Sequence, residues 1–540
     1  MLRVRNLLLL CLVFLCGCSF GIDPIARHDF ENNLNDSGLA QASKFVYHGL
    51  PKFAYAFSDH MVLQRGTDIT VWGFAEPGER VAVTINTQSV SAVADGYGKW
   101  LLQLDSMSAG GPYCLRLKSG ETNIELKDVM VGDVWLCLGQ SNMRYGLGIN
   151  RIPGNFTFAD ELSEISKQAT FPIRHAMRKD DALDWLEVNY RNVTDNKANP
   201  NGVTAVGYFF AKHLRASLGN VPIGIVQVGN GGAAIREFLP KDFQMSNPKM
   251  RKMLENYMPA YIEKYGIEKI NNHDAVVSAY IKEGDYYSAC SSYISRYPGH
   301  LFTRHIFQLK KLNFKGMVYY QGESDAGRGQ FYRELLSEMI DVFRDFFEFK
   351  DMPFLCIILP PAVKINYSDI VESQLVVADN KEGVYAVFAP EGAWDDPKDL
   401  HAPYKEIVGK RAALTALAEV YGKGNAYLGP RYASHERVND KLRVTFKGTA
   451  GGLKLANGKT VLTGFQLSGA NGNFVDAAAQ LVSNPNVVEV TIPESLQNEP
   501  NLYIRYNWKA YYEPVLYGEN DLPAVFFRTD NFDLRTTGHY

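Results

Sequence analysis

The fold class of this chain is indicated most clearly by the run Val134-Trp135-Leu136-Cys137-Leu138-Gly139-Gln140-Ser141-Asn142-Met143. Its first five residues form a continuous apolar run, which is typical of a strand buried on both faces of a parallel sheet. Similar runs follow at 223–228, 316–320, 354–359 and 384–388, and helical patterns occur at 205–218, 306–312, 331–347 and 405–421. Because strands alternate with helices, we predict an α/β domain whose parallel sheet is covered on both faces.

The chain is β-rich on both sides of this alternating region. Between residues 53 and 126, short strand-like runs recur at a spacing of about ten residues, which is typical of a small antiparallel sandwich. After Gly422 the helical patterns stop, and strands alternate with Asn-Gly and Gly-Gly turns. We therefore predict three domains: an N-terminal β-sandwich over 46–127, an α/β domain over 128–424 and a C-terminal β-sandwich over 425–540.

One segment inside the predicted α/β domain does not fit the alternation of strands and helices. Residues from about 245 to 298 are rich in Lys, Glu and Tyr. We predict that this segment is a helical insertion, since insertions of this length between sheet elements often form lids or substrate walls.

The first residues predict an exported protein that is tethered to a membrane. Arg3 and Arg5 precede an apolar run, which ends in Leu15-Cys16-Gly17-Cys18. This run is typical of a secretory signal and too short for a spanning helix. Its ending resembles a bacterial lipobox, so we predict a signal peptide over 1–17, lipidation of Cys18 and a tether over 18–45. The alternative is an ordinary signal peptide with a chance cysteine.

The predicted leader also gives a location. We expect the mature protein in the bacterial cell envelope, on the outer membrane or facing the periplasm, with a lipid anchor as its only membrane contact. No later stretch of the sequence reaches the roughly 20 apolar residues that a spanning helix needs.

Charge and cysteine content exclude several classes of protein. The 56 Lys and Arg residues nearly balance the 59 Asp and Glu residues, so no electrostatic surface for nucleic acid is expected. The cysteines are too scattered for a disulfide scaffold. Cys137 and Cys356 are predicted to be buried, and a Cys114–Cys290 bridge stays open. No CxxC or HExxH motif occurs, so we expect no metal site.

Polar or small residues follow the predicted strands where ligands bind in parallel α/β sheets, at the carboxyl ends. These groups are Gly139-Gln140-Ser141-Asn142-Met143, Gly229-Asn230-Gly231-Gly232, Gln321-Gly322-Glu323-Ser324-Asp325 and Asp399-Leu400-His401. Together they supply a hydroxyl, glycine amides, a side-chain amide and an imidazole beside an acid. This set of groups predicts acyl transfer.

The chemistry explains why these residue types belong together. A serine hydroxyl needs a base for its proton, and a carboxylate on the other ring nitrogen orients a histidine base. Amides aimed at the oxyanion each contribute about 10²–10³ in rate. Each group also has a structural alternative: a helix cap for Ser141, a tight turn for Gly231-Gly232, a buried network for Gln321 and Glu323, and a structural role for His401. Their coincidence on one predicted sheet favours catalysis.

Five motifs make the chain similar to the sialate O-acetylesterase-type SGNH hydrolases, which are carbohydrate acetylesterases. The motifs are FSDHMVLQR at 57–65, VWLCLGQSNM at 134–143, YYQGESD at 319–325, DLHAP at 399–403 and FFRTDN at 526–531. The resemblance implies an SGNH-hydrolase (flavodoxin-like) parallel sheet in the α/β domain, and an enzyme without metal or other cofactor. It further implies Ser141 as nucleophile, His401 as base, and an oxyanion hole from the Ser141 amide, Gly231 or Gly232, and the Gln321 side chain.

The chain departs from the pattern of this family beside the predicted base. The family usually carries Asp three residues before the histidine, where this chain has Lys398, and the nearest acid is Asp399. Residues two apart in an extended segment share a face, so we predict that Asp399 orients the His401 ring. The alternative is a Ser–His dyad with a backbone carbonyl as orienter.

Two arginines replace residues that the family has near the presumed sugar pocket. Arg144 stands where an acid is common, and Arg236 follows an altered Gly-Gly block. We hypothesise that Arg144 or Arg236 recognises an acidic sugar. The alternative is an ion pair with Glu237 or Asp325.

The sequence thus predicts a carbohydrate O-acetylesterase acting on sialic acid or acetylated polysaccharide through an acyl-serine intermediate. Asn142 and Glu323 are further candidates for substrate binding. Two alternatives stay open: an inactive glycan-binding lipoprotein on the same scaffold, and an esterase or lipase for lipid acyl groups. The expected partner is an acetylated glycan. The sequence does not indicate whether the protein is a monomer or an oligomer.

Overall fold

The structure is a computed structural model. It describes residues 46–540 except 149–157, 180–181, 196–201, 272, 275–276, 278–293, 394, 397 and 425. The predicted signal peptide, Cys18, the tether and Cys290 lie outside the described residues.

The apolar runs of the sequence form the strands of one large mixed sheet. The strands of the first 390 residues are β1 Lys52–Phe53, β2 Val62–Gln64, β3 Ile69–Phe74, β4 Arg80–Ile85, β5 Gln88–Val93, β6 Lys99–Leu104, β7 Gly110–Ser119, β8 Thr122–Gly139, β9 Ile173–Lys179, β10 Ala182–Glu187, β11 Ile223–Gly229, β12 Gly316–Tyr320, β13 Phe354–Ile357 and β14 Val384–Val387. The helices are α1 Ala159–Ser166, α2 Tyr190–Thr194, α3 Ala205–Ser217, α4 Lys241–Ser246, α5 Pro248–Tyr265, α6 Gly329–Phe346, α7 Ser368–Asn380 and α8 Lys405–Glu419.

The central part of this sheet is parallel, as predicted. Its strands lie in the order β10-β9-β11-β8-β12-β13-β14, and only β10 is antiparallel to its neighbour. The strands β11-β8-β12-β13-β14 have the 2-1-3-4-5 order of flavodoxin-like sheets. Such sheets bind ligands between their first and third strands, which in this chain are β8 and β12. The predicted α/β fold is therefore confirmed, and the sheet as a whole is mixed because strands such as β7 and β10 join it in antiparallel pairs.

The N-terminal strands are connected to the central strands through β8, and the predicted N-terminal β-sandwich with its boundary stays a prediction. Strand β8 is 18 residues long and crosses the predicted domain boundary between residues 127 and 128. Its first part pairs with β7 and its second part with β11 and β12. Strands β2, β4, β5 and β7 thereby join an eleven-stranded sheet, while β1, β3 and β6 form a small sheet of their own.

The burial of β8 explains why the sequence suggested a boundary there. Residues 122–127 alternate between half-buried and exposed, whereas residues 131–139 are all buried. Alternation is typical of a strand with one face in solvent, and continuous burial is typical of a strand covered on both faces. The pattern therefore changes because one strand passes between two environments, and residues from both regions pack into one core.

The helices pack in pairs around the parallel strands. Helix α3 packs against α8, and α6 packs against α7. The α3–α8 contact is close at Gly409, where an added Cβ would lie 2.6 Å from the Phe209 Cβ.

The predicted helix at 306–312 is instead a π-helical turn over Phe302–Ile306 followed by a 3₁₀ turn over Phe307–Leu309. The first part of the predicted insertion is helical, as α5.

The C-terminal region consists of antiparallel sheets around a second core. Its strands are β15 Arg431–Val438, β16 Lys441–Lys447, β17 Leu453–Leu455, β18 Phe465–Ser468, β19 Val475–Asp476, β20 Ala479–Leu481, β21 Val487–Thr491, β22 Tyr503–Tyr506, β23 Leu516–Gly518 and β24 Phe527–Arg528. They form two four-stranded sheets and a two-stranded ribbon. The tail then returns to α7, where Arg528 contacts Glu372 and Thr536 donates to Asp369.

The predicted burial of Cys137 and Cys356 is confirmed. Cys137 and Cys356 lie fully buried on β8 and β13, and burial raises the pKa of the Cys137 thiol to about 12. The Cys114–Cys290 bridge stays untested, because Cys290 is outside the described residues.

Within the part of the chain that the structure describes, no helix is both long and apolar enough to cross a membrane.

Candidate active site

The serine, histidine and aspartate singled out from the sequence meet at the carboxyl end of the parallel sheet. Ser141 follows the end of β8, and Asp399 and His401 lie in the loop before α8. The Ser141 Oγ lies 2.8 Å from the His401 Nε2, and the His401 Nδ1 lies 2.5 Å from the Asp399 Oδ1. These are the contacts between nucleophile, base and orienting acid that acyl transfer by serine uses.

Asp399 is held in place by its own loop. Its Oδ1 accepts hydrogen bonds from the backbone amides of Leu400 (2.7 Å) and His401 (3.1 Å), in addition to the imidazole. Burial alone raises the pKa of the Asp399 carboxyl, but the His401 ring and these two amides outweigh burial, and the net pKa lies below its ordinary value. The group is therefore a carboxylate near neutral pH, and it fixes the tautomer that carries hydrogen on Nδ1.

The environment of His401 keeps its ring neutral near pH 7. Burial lowers the pKa of the imidazole, and the positive charges of Lys405 and Lys364 lower it further. Asp399 opposes both effects, yet the net pKa stays below the ordinary value. A neutral ring with Nδ1–H toward Asp399 has a free lone pair on Nε2, so the ring is able to accept the Ser141 proton.

The two glycines after β11 leave room beside the serine. A Cβ added to Gly231 would lie 3.9 Å from the Ser141 Cβ. Gly232 has a φ of +66°, a left-handed conformation that glycine adopts without strain. The tight turn proposed as an alternative is thus present, and it brings the glycines next to Ser141. Donation from the amides of Ser141, Gly231 or Gly232 to an oxyanion stays a prediction.

Gln321 does not have the free amide group that a side-chain oxyanion donor needs. It is fully buried, and its Nε2 donates to the Asp325 Oδ2 (2.7 Å) and the Ala233 carbonyl (3.1 Å). Its Oε1 accepts from the hydroxyls of Tyr319 (2.9 Å) and Tyr332 (2.8 Å). This geometry matches the alternative of a buried network, in which Gln321 supports the glycine loop through Ala233. Donation from the Gln321 side chain to an oxyanion stays a prediction.

Asn142 connects three segments of the site instead of facing open solvent. Its Nδ2 donates to the Glu323 Oε1 (2.5 Å) and the Leu400 carbonyl (3.3 Å), and its Oδ1 accepts from the Lys405 Nζ (2.6 Å). Asn142, Glu323 and Lys405 are all buried. The two predicted substrate-binding candidates, Asn142 and Glu323, therefore contact the protein's own polar groups.

Lys405 was missed by the sequence analysis, although a signal for its burial exists. It lies three and four residues before Val408 and Gly409, which are buried on the same face of α8. This spacing places a lysine on the apolar face of a helix, one turn after the predicted base. A charged residue at such a position is rarely buried without a partner.

The two arginines proposed to bind an acidic sugar differ in their surroundings. The Nη1 of half-buried Arg144 lies 3.4 Å from the Asn230 Oδ1, between the loops that follow β8 and β11. Arg236 is only 8% exposed, and its guanidinium lies over the Tyr257 ring at 4.0 Å. Burial and stacking give Arg236 a structural role. The ion pair named as its alternative is not the one observed, because Glu237 pairs with Arg296 and Asp325 pairs with Arg328.

A third arginine, which the sequence analysis did not single out, lies beside the glycines. Arg296 belongs to the end of the predicted insertion, and its side chain is 40% exposed. Its Nη2 donates to the Gly231 carbonyl, and its Nη1 lies 3.7 Å from the Glu237 carboxylate. Arg296 therefore brings an accessible positive charge to the loop that flanks Ser141.

One group of potential metal ligands occurs among the described residues, on the N-terminal side of the molecule. It consists of His60, Asp128 and Glu187. The Arg174 Nη2 lies 2.7 Å from Asp128 and 3.7 Å from Glu187, so a guanidinium already supplies the positive charge there. The absence of a metal site stays a prediction.

The region that carries these residues matches a known protein family. Residues 131–265 and 289–417 match the family model described as carbohydrate esterase, sialic acid-specific acetylesterase. The chain is 26% identical to a mouse sialate O-acetylesterase over 330 residues, which are 55% of this chain and 57% of that protein. It is 28% identical to the human sialate O-acetylesterase over 200 residues, or 34% of this chain and 38% of that protein. The match thus spans about half of these curated relatives.

The fold as a whole is similar to a solved enzyme structure. The crystal structure of a carbohydrate acetylesterase from Xanthomonas citri matches with a TM-score of 0.70 and 26% sequence identity. The match covers 89% of this chain and 100% of that chain, so it includes the β-rich regions on both sides of the parallel sheet.

Proposed function

Because the two segments 131–265 and 289–417 belong to the carbohydrate esterase family of sialic acid-specific acetylesterases, we propose that this protein hydrolyses O-acetyl esters of carbohydrates. The single observation that carries the mechanism is the 2.8 Å distance between the Ser141 Oγ and the His401 Nε2. It supports a serine ester hydrolase in which the proposed triad is Ser141, His401 and Asp399.

The proposed reaction has two halves that use the same groups. The Ser141 Oγ attacks the acetyl carbonyl carbon while the His401 Nε2 takes the hydroxyl proton. The tetrahedral intermediate then collapses, and the sugar oxygen leaves with the proton that His401 returns. In the second half, water attacks the acetyl-serine ester, His401 again takes and returns the proton, and acetate leaves. Asp399 stabilises the imidazolium in both halves, as carboxylates do in such triads.

The charged side chains around Ser141 support an acidic sugar as substrate. The sialate O-acetylesterases that the chain resembles are named for an acidic sugar. Arg144 stays a candidate for binding the sugar carboxylate, and half-buried Arg296 replaces buried Arg236 as the second candidate. A carboxylate between two guanidinium groups forms charge-assisted hydrogen bonds, which are stronger than neutral ones.

A small aryl acetate tests the proposed activity. We expect turnover by the wild-type protein and its loss in Ser141→Ala, because the acyl-serine intermediate requires the hydroxyl. A protein that binds acetylated glycans but turns over no ester would support the alternative of an inactive binder. Equal turnover of acetyl and long-chain esters would support a lipid esterase, whereas a carbohydrate deacetylase loses activity steeply beyond acetyl.

We further propose that the enzyme is anchored through Cys18 in the bacterial envelope, where acetylated glycans arrive. The support is the Leu15-Cys16-Gly17-Cys18 ending of the leader. Labelling with a fatty-acid analogue in a bacterial host tests this, since Cys18→Ala must lose the label and leave the membrane fraction. An unchanged membrane fraction for this variant would contradict the anchor.

A further inference from the structure

Lys405 occupies a position that is costly for a charged side chain. It is 1% exposed and lies in the first turn of α8. Burial disfavours an ammonium group, and the positive end of the helix dipole disfavours a cation at this end of a helix. Burial lowers the pKa of the Lys405 ammonium to about 7 as a result. Packing alone does not explain a lysine at this position, because an apolar side chain of the same length avoids both costs.

The contacts of Lys405 lead directly to the nucleophile segment. Its Nζ donates to the Asn142 Oδ1 at 2.6 Å, and Asn142 is the residue after Ser141. The rings of Tyr145 and Tyr320 lie 5.1 Å and 5.3 Å from the Nζ, within the range of cation–π attraction. The amide of Asn142 is thus held from its oxygen end by a buried cation.

The other end of the same amide reaches the loop of the base. The Asn142 Nδ2 donates to the Glu323 Oε1 and lies 3.3 Å from the Leu400 carbonyl, which precedes His401. An asparagine amide is able to make these two donations only when its nitrogen faces Glu323 and its oxygen faces a donor. Lys405 supplies that donor, so it selects the orientation of Asn142 that ties the Ser141 segment to the His401 loop.

We infer that Lys405 is a positioning residue of the active site: through Asn142 it holds the Ser141 segment at hydrogen-bonding distance from His401. The inference rests on the proposed function for its kinetic readouts. Loss of this positioning is expected to lower the rate strongly, because a displacement of about 1 Å between reacting groups costs on the order of 10²-fold in rate.

The positive charge of Lys405 affects the pKa of His401, which a side chain with a purely packing role would not do. The charged groups that act on His401 are Asp399, Lys405 and Lys364, and those that act on Lys405 are Glu323 and Asp399. The Lys405 cation lowers the pKa of His401, so its removal raises that pKa. The acid limb of the kcat/KM profile must then move to higher pH, since protonated His401 is inactive as a base.

The test compares Lys405→Met with the wild-type full chain on an aryl acetate across pH 5–9. Methionine keeps the length of the side chain and removes its charge and donor. We expect kcat to fall by about 10²-fold with KM changed by less than about threefold, together with the shift of the acid limb. Lys405→Arg, which keeps the charge, must recover part of the loss. A kcat within about twofold of wild type and an unmoved acid limb would overturn the inference.

A double-mutant cycle separates positioning from loss of folding. If Lys405 acts through Asn142, the double variant Lys405→Met/Asn142→Ala has the activity of Asn142→Ala alone, whereas additive losses would overturn the inference. Thermal melting identifies a variant that fails to fold. If Lys405→Met does not fold, Lys405→Arg is compared with the wild-type protein instead.

An NMR titration of labelled His401 needs no turnover. It tests the predicted rise of the His401 pKa in Lys405→Met even if no ester is hydrolysed. A rise in a protein without esterase activity retains the inference about Lys405 and contradicts only the proposed function. An unchanged His401 pKa would overturn the inference whether or not the protein is an esterase.

Discussion

Asp399 and His401, only two residues apart, share two hydrogen bonds through a single oxygen: the Asp399 Oδ1 accepts from both the amide and the ring of His401. This loop geometry places a carboxylate on the His401 Nδ1, although the residue three positions before His401 is Lys398. An acid two residues before the histidine is therefore able to contact the ring.

Asp399→Asn measures what this contact contributes. An amide at this position removes the negative charge and permits the wrong imidazole tautomer, so we expect kcat to fall by roughly 10³–10⁴-fold. Steady-state kinetics on an aryl acetate gives the change, and a thermal melt confirms that the variant is folded. A loss smaller than about tenfold would indicate a Ser–His dyad oriented by the backbone.

The acid limb of the pH profile reports the state of His401. Its pKa is lowered by burial, so the ring stays unprotonated to a pH below its ordinary value, and activity is lost as pH falls through that lowered pKa. We expect the acid limb of kcat/KM below pH 6.5. Because Asp399 raises the pKa of His401, the limb of Asp399→Asn must lie lower still. A limb that moves upward in this variant would contradict the assignment.

Gly231 and Gly232 offer a matched pair of alanine substitutions. A Cβ at Gly231 meets ordinary contact distances but enters the space beside Ser141, so Gly231→Ala is expected to lower kcat/KM without changing the melting temperature. Gly232 has a φ of +66°, where a side chain costs about 1–2 kcal/mol, so Gly232→Ala is expected to lower the free energy of unfolding. The reverse pattern would mean that the second glycine, not the first, borders the substrate.

Gln321→Ala separates a structural role from a catalytic one. The substitution removes one buried hydrogen-bond partner from each of Asp325, Tyr319 and Tyr332. We expect the free energy of unfolding to fall by about 1–3 kcal/mol, measured by urea titration. An unchanged stability with a kcat lower by about 10²-fold or more would instead identify Gln321 as an oxyanion donor.

Arg144→Ala and Arg296→Ala test the acidic-sugar hypothesis. For each variant we expect KM to rise by about tenfold or more on a sialylated acetyl ester and to change little on a neutral acetylated sugar, since charge-assisted hydrogen bonds to a carboxylate contribute about 1.5–3 kcal/mol. Arg116→Ala is the matched control, because that exposed arginine pairs with Glu125 on the N-terminal strands. An unaltered preference in both variants would contradict the hypothesis.

Local sequence patterns were sufficient to predict the parallel strands and the three residues that meet at their carboxyl end. Apolar runs such as 134–138 and 316–320 report burial on both faces, which is a local property of a strand. Ser141, His401 and Asp399 were identified because strand ends of a parallel sheet meet at one edge, whatever the loops between them do. The helices α3, α6 and α8 likewise follow from apolar spacing along single segments.

The connection between the regions and the partners of the polar groups could be found only in three dimensions. The pattern changes along β8 although the strand is continuous, because periodicity reports the environment of each residue and not the continuity of a strand. The sequence left two roles open for Gln321 and Glu323, a part in catalysis or binding and a buried network. Their contacts with Asp325 and Asn142 belong to a buried network, and no local pattern contains the positions of these partners. Lys405 enters the site for the same reason: a hydrogen bond joins atoms that are close in space, and residues 142 and 405 become neighbours only after the sheet has formed.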